Sequence, residues 1–305
     1  MLYCCCCATS VVEPKPIIND KNKIKSTITD TDRMQKNICS YNRKIDFKDK
    51  EYINKGGFGE IYKLKDTNID EEIVVKVTWQ GTRKRALQEA KILLDLNGNY
   101  APKFYRFEIF DHNYYIVMSY IKGKDLFEYF KNTAIFYNDA IEILKKVIFA
   151  LYDIYKLGYM HLDVKLENII YNEQNKQITL VDFGSGHITT NKLKKLQCNV
   201  GTLNYCAPEI YLRFYHPTSD IYSLGCVLWV LVSGIYPFDI KYKSEGWERI
   251  PENFPNSSNK RLYDKLPIPI QTLLRKMMRK NCKKRIKYPE LINYIKNING
   301  NDLSI

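Results

Sequence analysis

The polar residues between positions 159 and 184 bring three kinds of chemistry into a short stretch of chain. Asp163 carries a carboxylate that can accept a proton. Asn168 and Asp182 offer oxygens of the hard kind that Mg²⁺ prefers, and Lys165 is a point positive charge suited to a phosphate. Phosphoryl transfer needs these groups, because its catalysis is mostly positioning and neutralisation of charge. The stretch is therefore a candidate phosphoryl-transfer site.

The segment between Asn168 and Asp182 has the pattern of a β-hairpin. Residues 168–171 are apolar and β-prone, residues 172–176 are polar turn formers, and residues 178–181 form a second apolar run. Such a hairpin folds back and returns Asp182 to the neighbourhood of Asp163 and Asn168. The sequence thus predicts that side chains distant along the chain meet at one place.

These two motifs together resemble those of the eukaryotic-type protein kinases. The triplet at 161–163, His-Leu-Asp, stands where that family usually has His-Arg-Asp. The triplet at 182–184, Asp-Phe-Gly, is similar to the family's magnesium-binding motif. The resemblance implies an α+β, bilobal protein kinase fold with a small β-rich N-lobe and a larger α-helical C-lobe, and ATP and Mg²⁺ as cofactors.

The segment at 201–209, Gly-Thr-Leu-Asn-Tyr-Cys-Ala-Pro-Glu, is similar to the kinase element that accompanies a protein acceptor. The resemblance places Thr202 in hydrogen bonds between Asp163 and Lys165, an arrangement found in Ser/Thr-directed members. It therefore implies a protein substrate phosphorylated on Ser or Thr. The catalytic residues so implied are Asp163, Lys165 and Thr202, and the metal ligands are Asn168 and Asp182.

The residues that the resemblance places on ATP lie mostly earlier in the chain. Glycines in the run 53–59 let the backbone approach phosphate oxygens. Asn54 replaces the first glycine of the family motif, and we expect the turn to survive with weaker nucleotide binding, because Asn tolerates a left-handed backbone. Lys76 is implied on the phosphates, paired with an inward Glu89 that would be costly to bury alone. Asp125 is either a ribose contact or the N-cap of the next helix. The full set of nucleotide contacts so implied is Ile53, Asn54, Lys55, Gly56, Gly57, Phe58, Gly59, Ile61, Lys76, Glu89, Met118, Ile121 and Asp125.

Hydrophobic periodicity predicts the elements that hold these residues. Strands are predicted at 51–54, 60–65 and 72–78, with a hairpin over 104–118. Helices are predicted at 82–96, 139–156, 217–234, 269–279 and 290–298, and the segment after Gly184 is predicted to be irregular. The predicted organisation is a disordered N-terminal tail at 1–45, a kinase domain at 46–298 (N-lobe 46–118, hinge 119–123, C-lobe 124–298), and a C-terminal tail at 299–305.

Composition sets the expected compartment and partners. The chain has 305 residues, a net charge of +13 and nine cysteines without metal-ligand spacing. We expect a soluble, cytoplasmic monomer, because the cysteines form no disulfide framework and the longest apolar run is too short for a bilayer. No nucleic-acid partner is expected, since the basic residues are dispersed. The run Cys4–Cys7 leaves two interpretations: a peripheral membrane contact through S-acylation, or a run with no role.

The resemblance implies two further contacts, and the sequence departs from the family's pattern at one more position. Asp220 is implied to hold the backbone of the catalytic loop, and Glu209 to pair with Arg285. Leu162 replaces the arginine that reads a phosphorylated activation loop in many kinases, so we predict activity without phosphorylation at Thr189 or Thr190. Leu162 and Asn54 are also the features that support the alternative, a pseudokinase that serves as a binding or scaffold module.

Overall fold

The computed structural model describes residues 49–298, apart from 57–58, 67–69, 80, 133–135, 239–241, 244–245 and 248–253. The predicted tails at 1–45 and 299–305, and Gly57 and Phe58 of the Gly-rich run, lie outside the described residues. Backbone contacts divide the chain into two units, Met1–Ala86 with Phe104–Tyr120 and Leu87–Lys103 with Ile121–Ile305.

The first unit is a five-stranded antiparallel sheet with the strand order β1-β2-β3-β5-β4. Its strands are β1 (Glu51–Gly56), β2 (Gly59–Asp66), β3 (Glu71–Thr78), β4 (Phe104–Phe110) and β5 (Asn113–Ser119). The predicted strands are therefore confirmed. A buried cluster of Leu64, Ile73, Val75 and Val117 covers one face, as expected of half-buried strands rich in β-branched residues.

The second unit is mostly helical. Its helices are α1 (Arg83–Leu96, whose residues from Leu87 belong to this unit), α2 (Leu126–Asn132), α3 (Tyr137–Lys156), α4 (Pro208–Tyr211), α5 (Ser219–Ser233), α6 (Lys260–Tyr263), α7 (Ile268–Met277) and α8 (Tyr288–Lys296). The long predicted helices are confirmed, with ends that differ by one or two residues.

Burial within the helices follows their periodicity. One stripe of α3 is buried, including Ile141, Leu144, Ile148 and Leu151. Helix α5 is apolar around its circumference and buried along nearly its whole length, which makes it the centre of the unit. In α1 the side chain of Leu94 is 44% exposed, because the helical period places Ile92 and Leu96 in the core.

Short strands complete the second unit. They are β6 (Lys124–Asp125), β7 (Tyr159–Met160), β8 (Ile169–Asn172), β9 (Gln177–Leu180), β10 (His187–Ile188), β11 (Lys194–Lys195), β12 (Phe214–Tyr215), β13 (Tyr242–Lys243) and β14 (Gly246–Trp247). Strands β10 and β11 correct the prediction of an irregular segment after Gly184, because each pairs with a distant strand, β7 or β12. None of the helices in the part of the chain that the structure describes combines the length and apolar character needed to cross a bilayer.

Candidate active site

The hairpin of β8 and β9 brings Asp182 to Asn168, as predicted. Its register opposes Ile169 with Leu180, and the Val181 amide donates to the carbonyl oxygen of Asn168 at 3.0 Å. Asn168 directly precedes β8, and Asp182 directly follows Val181, whose amide bonds to the Asn168 carbonyl oxygen. The antiparallel register, which follows from the polar turn between two apolar runs, therefore fixes both residues at the same end of the hairpin.

Asp163, Thr202 and Lys165 form one hydrogen-bonded group. The Thr202 hydroxyl donates to Asp163 Oδ1 at 2.7 Å, and Lys165 Nζ donates to Thr202 Oγ1 at 3.0 Å. Lys165 Nζ also lies 3.5 Å from Asp163 Oδ2. The predicted bridge by Thr202 is confirmed. These contacts hold the Asp163 carboxylate in one orientation. The side chains of Lys165 and Asp163 are 20% and 11% exposed, so a substrate can still reach them.

Asn168 is oriented by the same carboxylate. Its Nδ2 donates to the Asp163 carbonyl oxygen at 2.9 Å and to Asp163 Oδ2 at 3.3 Å. This use of the amide nitrogen leaves Oδ1 as the atom for a cation. An amide oxygen and the Asp182 carboxylate fit Mg²⁺, which takes few protein ligands and completes its shell with water and phosphate oxygens. Among the described residues there is no cluster of three or more His, Cys, Asp or Glu side chains that could hold a metal.

Asp182 adopts a backbone conformation that few residues tolerate. Its φ and ψ are 61° and 74°, in the left-handed region that Asp reaches more easily than most side chains. Its Oδ1 accepts a hydrogen bond from the Gly184 amide at 3.2 Å. The neighbouring His161 ring packs against Phe183 at 4.7 Å, and its Nε2 lies 3.0 Å from the Val181 carbonyl oxygen. These contacts attach Val181 and Phe183, the two neighbours of Asp182, to the loop that carries Asp163.

Asp220 holds the loop that carries Asp163, as predicted. It accepts hydrogen bonds from the backbone amides of His161 at 2.9 Å and Leu162 at 2.7 Å. Burial raises the pKa of the Asp220 carboxyl, and the His161 ring and the two amides act against that rise. Leu162 is buried and has a φ of 59°, so the Asp220 carboxylate fixes an unusual turn just before Asp163.

The segment at 201–209 is anchored at both ends. A Cβ on Gly201, whose φ is 80°, would lie 2.9 Å from the Leu162 carbonyl oxygen, so glycine allows this segment to approach the catalytic loop. At the other end Arg285 and Glu209 form a bidentate pair, with Nη1–Oε1 at 2.7 Å and Nη2–Oε2 at 2.9 Å. The predicted pairing of these two side chains is confirmed.

Sequence reasoning missed two side chains, Gln88 and Tyr215, that hold the segment after Gly184. Gln88 of α1 donates from Nε2 to the Gly186 carbonyl oxygen. The buried Tyr215 donates its hydroxyl to the Ile188 carbonyl oxygen at 3.1 Å and packs on the His187 ring at 5.3 Å. No sequence signal could have found either, because each contact joins residues far apart in the chain with no motif in common.

Those implied nucleotide residues of the first unit that the structure describes lie on its first three strands and β5. Ile61 opposes Asn54 on one side and Lys76 on the other, and Lys76 is 6% exposed. Asn54 lies in β1 beside a bulge and is not among the described residues with positive φ, and its Oδ1 accepts from the Lys55 amide at 2.7 Å. The weaker nucleotide binding expected from Asn54 stays a prediction. Met118, next to the chain segment 119–123, is also buried. Lys55 opposes Glu60 and Gly56 opposes Gly59 in the same ladder, and Ile53 is the bulged residue.

Gly59 has a reason of its own to be glycine. A Cβ there would lie 1.9 Å from the carbonyl oxygen of Val77. The close approach of β2 to β3 at this point therefore excludes any side chain. The third glycine of the run is required by the sheet itself, whatever it contributes to phosphate binding.

In the second unit, Asp125 is an N-cap. Its Oδ1 accepts a hydrogen bond from the Glu128 amide at 2.8 Å, which satisfies an otherwise open donor at the start of α2. Its backbone pairs with Ile170 of β8, close to Asn168.

Glu89 of α1 is 3% exposed, which confirms its inward face. Lys76 and Glu89 belong to different units, so their pairing stays a prediction, as do the nucleotide contacts of Ile121 and Asp125.

The fold and the site together define a class of protein. The first unit carries a buried lysine on an antiparallel sheet of five strands. The second, helical unit holds a carboxylate, an ammonium group and two magnesium-compatible oxygens on a loop and the hairpin that follows. These are the parts of a protein kinase.

The comparisons with known proteins agree. The family model of the protein kinase domain matches residues 47–295, and the chain belongs to that family. Calcium-dependent protein kinase 4 of Plasmodium berghei is 32% identical over 204 residues, which are 63% of this chain and 38% of that protein. Serine/threonine-protein kinase plk-2 of Caenorhabditis elegans is 29% identical over 225 residues, 71% of this chain and 35% of that protein. Serine/threonine-protein kinase ppk11 of Schizosaccharomyces pombe is 27% identical over 220 residues, 70% of each chain. The first two matches thus span little more than a third of the relatives' own length.

Proposed function

We propose that this protein is a serine/threonine protein kinase, which transfers the γ-phosphoryl group of ATP to Ser or Thr hydroxyls of a protein substrate. The observation that carries the proposal is the hydrogen-bonded group of Asp163, Thr202 and Lys165, with Asn168 donating to the same carboxylate. A structural ion pair needs only two opposite charges. Phosphoryl transfer needs a carboxylate base close to both a phosphate-binding cation and a metal-binding amide, and Lys165 and Asn168 both contact the Asp163 carboxylate.

Each residue of the group has one task. Asp163 accepts the proton of the acceptor hydroxyl and orients its oxygen for in-line attack. Lys165 neutralises charge on the transferred group, and Thr202 keeps the ammonium and the carboxylate in register. Asn168 Oδ1 and the Asp182 carboxylate would hold Mg²⁺, which when bound neutralises charge on the phosphates.

The nucleotide would be held mainly by the first unit. The backbone of the β1–β2 connection would offer N–H donors to phosphate oxygens, and Lys76 would contact the α- and β-phosphates. The burial of Lys76 fits this role, because a buried ammonium requires anionic partners. Glu89, itself buried, would be one such partner and the phosphates the other.

Serine/threonine selectivity and a protein acceptor are inferred from Thr202 and the segment that carries it. Several relatives are named as serine/threonine-protein kinases, which supports the same choice. We further propose that the chain works in a reducing compartment, because its cysteines form no disulfide pattern, and that it acts as a monomer. Sedimentation velocity of the full chain tests the monomer, and radiolabelled palmitate tests acylation of Cys4–Cys7.

The proposed activity is tested by incubating the purified full chain with Mg²⁺ and γ-labelled ATP and a mixture of dephosphorylated proteins. Acid hydrolysis of the labelled products separates phosphoserine and phosphothreonine from phosphotyrosine. We expect label on Ser or Thr, abolished by EDTA. Thermal stabilisation by Mg-ATP without any transfer would favour the pseudokinase, and label mainly on Tyr would overturn the proposed specificity.

A further inference from the structure

A cleft of about 850 Å³ lies in the second unit, formed by none of the residues assigned above to catalysis, metal or nucleotide. One wall is the face of α3 that carries Lys146, Phe149, Asp153 and Lys156 at spacings of three and four residues. The opposite wall combines Tyr100, from the loop after α1, with the turn of the β8–β9 hairpin. The cleft is therefore built from three segments that are remote in sequence.

The walls are tied together by hydrogen bonds. The Leu180 amide donates to the Tyr100 carbonyl oxygen at 2.8 Å, and Lys146 Nζ donates to the Lys176 carbonyl oxygen at 2.7 Å. These bonds hold the loop and the hairpin turn in fixed positions relative to each other and to α3. A concave surface held in this way is pre-organised for a ligand, because little ordering remains to be done on binding.

The charge of the cleft is positive. Lys146 donates to a neutral carbonyl group, and Lys176 lies over the Tyr171 ring at 5.9 Å, so neither contact cancels an ammonium charge. Lys296 lies over the ring of Phe149 at 5.6 Å and adds a cation at the same wall. Only Lys156 has an acidic partner within the cleft, Asp153 at 2.7 Å.

Apolar surface accompanies this charge. Tyr100 is 38% exposed and Leu157 is 52% exposed, and both line the cleft together with Phe149. Walls so open do not enclose a small molecule, which usually has most of its surface buried in its site. The combination of open apolar side chains and ammonium groups fits an extended ligand that carries carboxylates next to apolar side chains.

We propose that this cleft is a docking site for an acidic peptide segment of a partner protein, in which Asp or Glu flank one or two large apolar residues. The carboxylates would pair with Lys146, Lys176 and Lys296, and the apolar residues would pack on Phe149 and Leu157. The exposed Leu157 favours a peptide over nucleic acid, because a phosphate backbone carries no apolar side chain to pack on it. Concavity disfavours a bilayer, which contacts flat or protruding surfaces.

The test is a selection of phage-displayed random 12-residue peptides on the immobilised full chain, followed by fluorescence anisotropy with the enriched sequences. The charge-reversed variant Lys146→Glu/Lys176→Glu removes two of the cleft's cations, and the milder Lys146→Gln/Lys176→Gln guards against misfolding. The matched control is Lys280→Glu/Lys283→Glu, which makes the same charge change at two exposed lysines outside the cleft. Thermal unfolding of each variant checks its fold.

We expect enriched peptides with net negative charge and at least one Leu, Ile, Phe or Trp. Their affinity should fall at least tenfold in both cleft variants and stay within twofold of wild type in the control. The proposal is overturned if no acidic peptide is enriched, or if the cleft and control variants lose affinity equally. It is also overturned if a 24-base-pair duplex or phosphatidylserine vesicles bind with the cleft dependence that the peptides lack. These outcomes do not depend on phosphoryl transfer, so they are separable from the proposed activity.

Discussion

Replacing Arg285 with methionine should destabilise the second unit strongly. The guanidinium is fully buried, and the Glu209 side chain is 7% exposed. Besides the two bonds to Glu209, the guanidinium donates to the Thr218 carbonyl oxygen at 2.9 Å and to the Arg279 carbonyl oxygen at 3.0 Å. Methionine keeps the apolar stem but leaves two carbonyl groups without their donor and the Glu209 carboxylate without its cation, although the Ser219 hydroxyl still donates to it.

The size of the effect follows from burial. Removing one partner of a buried ion pair costs about 3–5 kcal/mol, because the remaining charge stays desolvated. At about 2–4 °C per kcal/mol for a domain of this size, the midpoint of thermal unfolding should fall by about 6–20 °C. The matched control is Lys276→Met. Lys276 pairs with Glu290 at the same 2.7 Å separation, but these side chains are 39% and 57% exposed, so the cost should be about 0–1 kcal/mol.

The measurement is urea unfolding followed by circular dichroism, with thermal scans at one scan rate. Adding Glu209→Gln to Arg285→Met should recover part of the loss, because no buried charge is then left unpaired. The reasoning is refuted if Arg285→Met destabilises the protein no more than Lys276→Met. It is also refuted if the double variant is as unstable as the sum of the two single changes.

Three further predictions concern the site and its surroundings. Thr202→Val should lower kcat by at least tenfold while Thr202→Ser retains most of it, since serine keeps the hydroxyl between Asp163 and Lys165; steady-state phosphorylation assays compare the two. Thr189→Ala/Thr190→Ala should leave turnover within about twofold of wild type, because the Thr189 hydroxyl is buried and Leu162 cannot read a phosphate; loss of activity in a folded variant would contradict this. Burial lowers the pKa of His216 below its ordinary 6.5, so its contribution to the free energy of unfolding is present above pH 6.5 and is lost as the pH falls toward the folded-state pKa. His216→Gln should make the loss of stability below pH 6.5 shallower in urea titrations.

The sequence predicted the parts of the fold whose signals are local. The β8–β9 hairpin, α3 and α5 are set by apolar periods and turn residues, and the structure has them within a few residues. The Thr202 bridge and the pairing of Glu209 with Arg285 were reached through the resemblance, since each joins residues far apart in the chain. Local pattern alone would have found neither.

Other features could not be read from the chain. Strand β11 consists of Lys194 and Lys195, which pair with Tyr215 and Phe214 of β12. Two consecutive lysines have no alternating apolar pattern, so nothing marked them as a strand. The bulge at Ile53 places Asn54 opposite Ile61 in the ladder, and no pattern in the sequence marks that bulge. The cleft beside α3 depends on where a loop, a helix and a hairpin turn meet, which is a property of packing and not of any one segment.

The most direct test of the central claim compares Asp163→Asn with Asp139→Asn in the same protein. Asp163 accepts from Thr202 and Asn168, whereas Asp139 is an exposed acid in the first turn of α3. Rapid-quench measurement of γ-phosphoryl transfer to a Ser/Thr substrate should show a rate about 10²–10⁴-fold lower for Asp163→Asn, with calorimetric Mg-ATP affinity within threefold of wild type and Asp139→Asn unchanged. Transfer by Asp163→Asn at the wild-type rate would contradict the account.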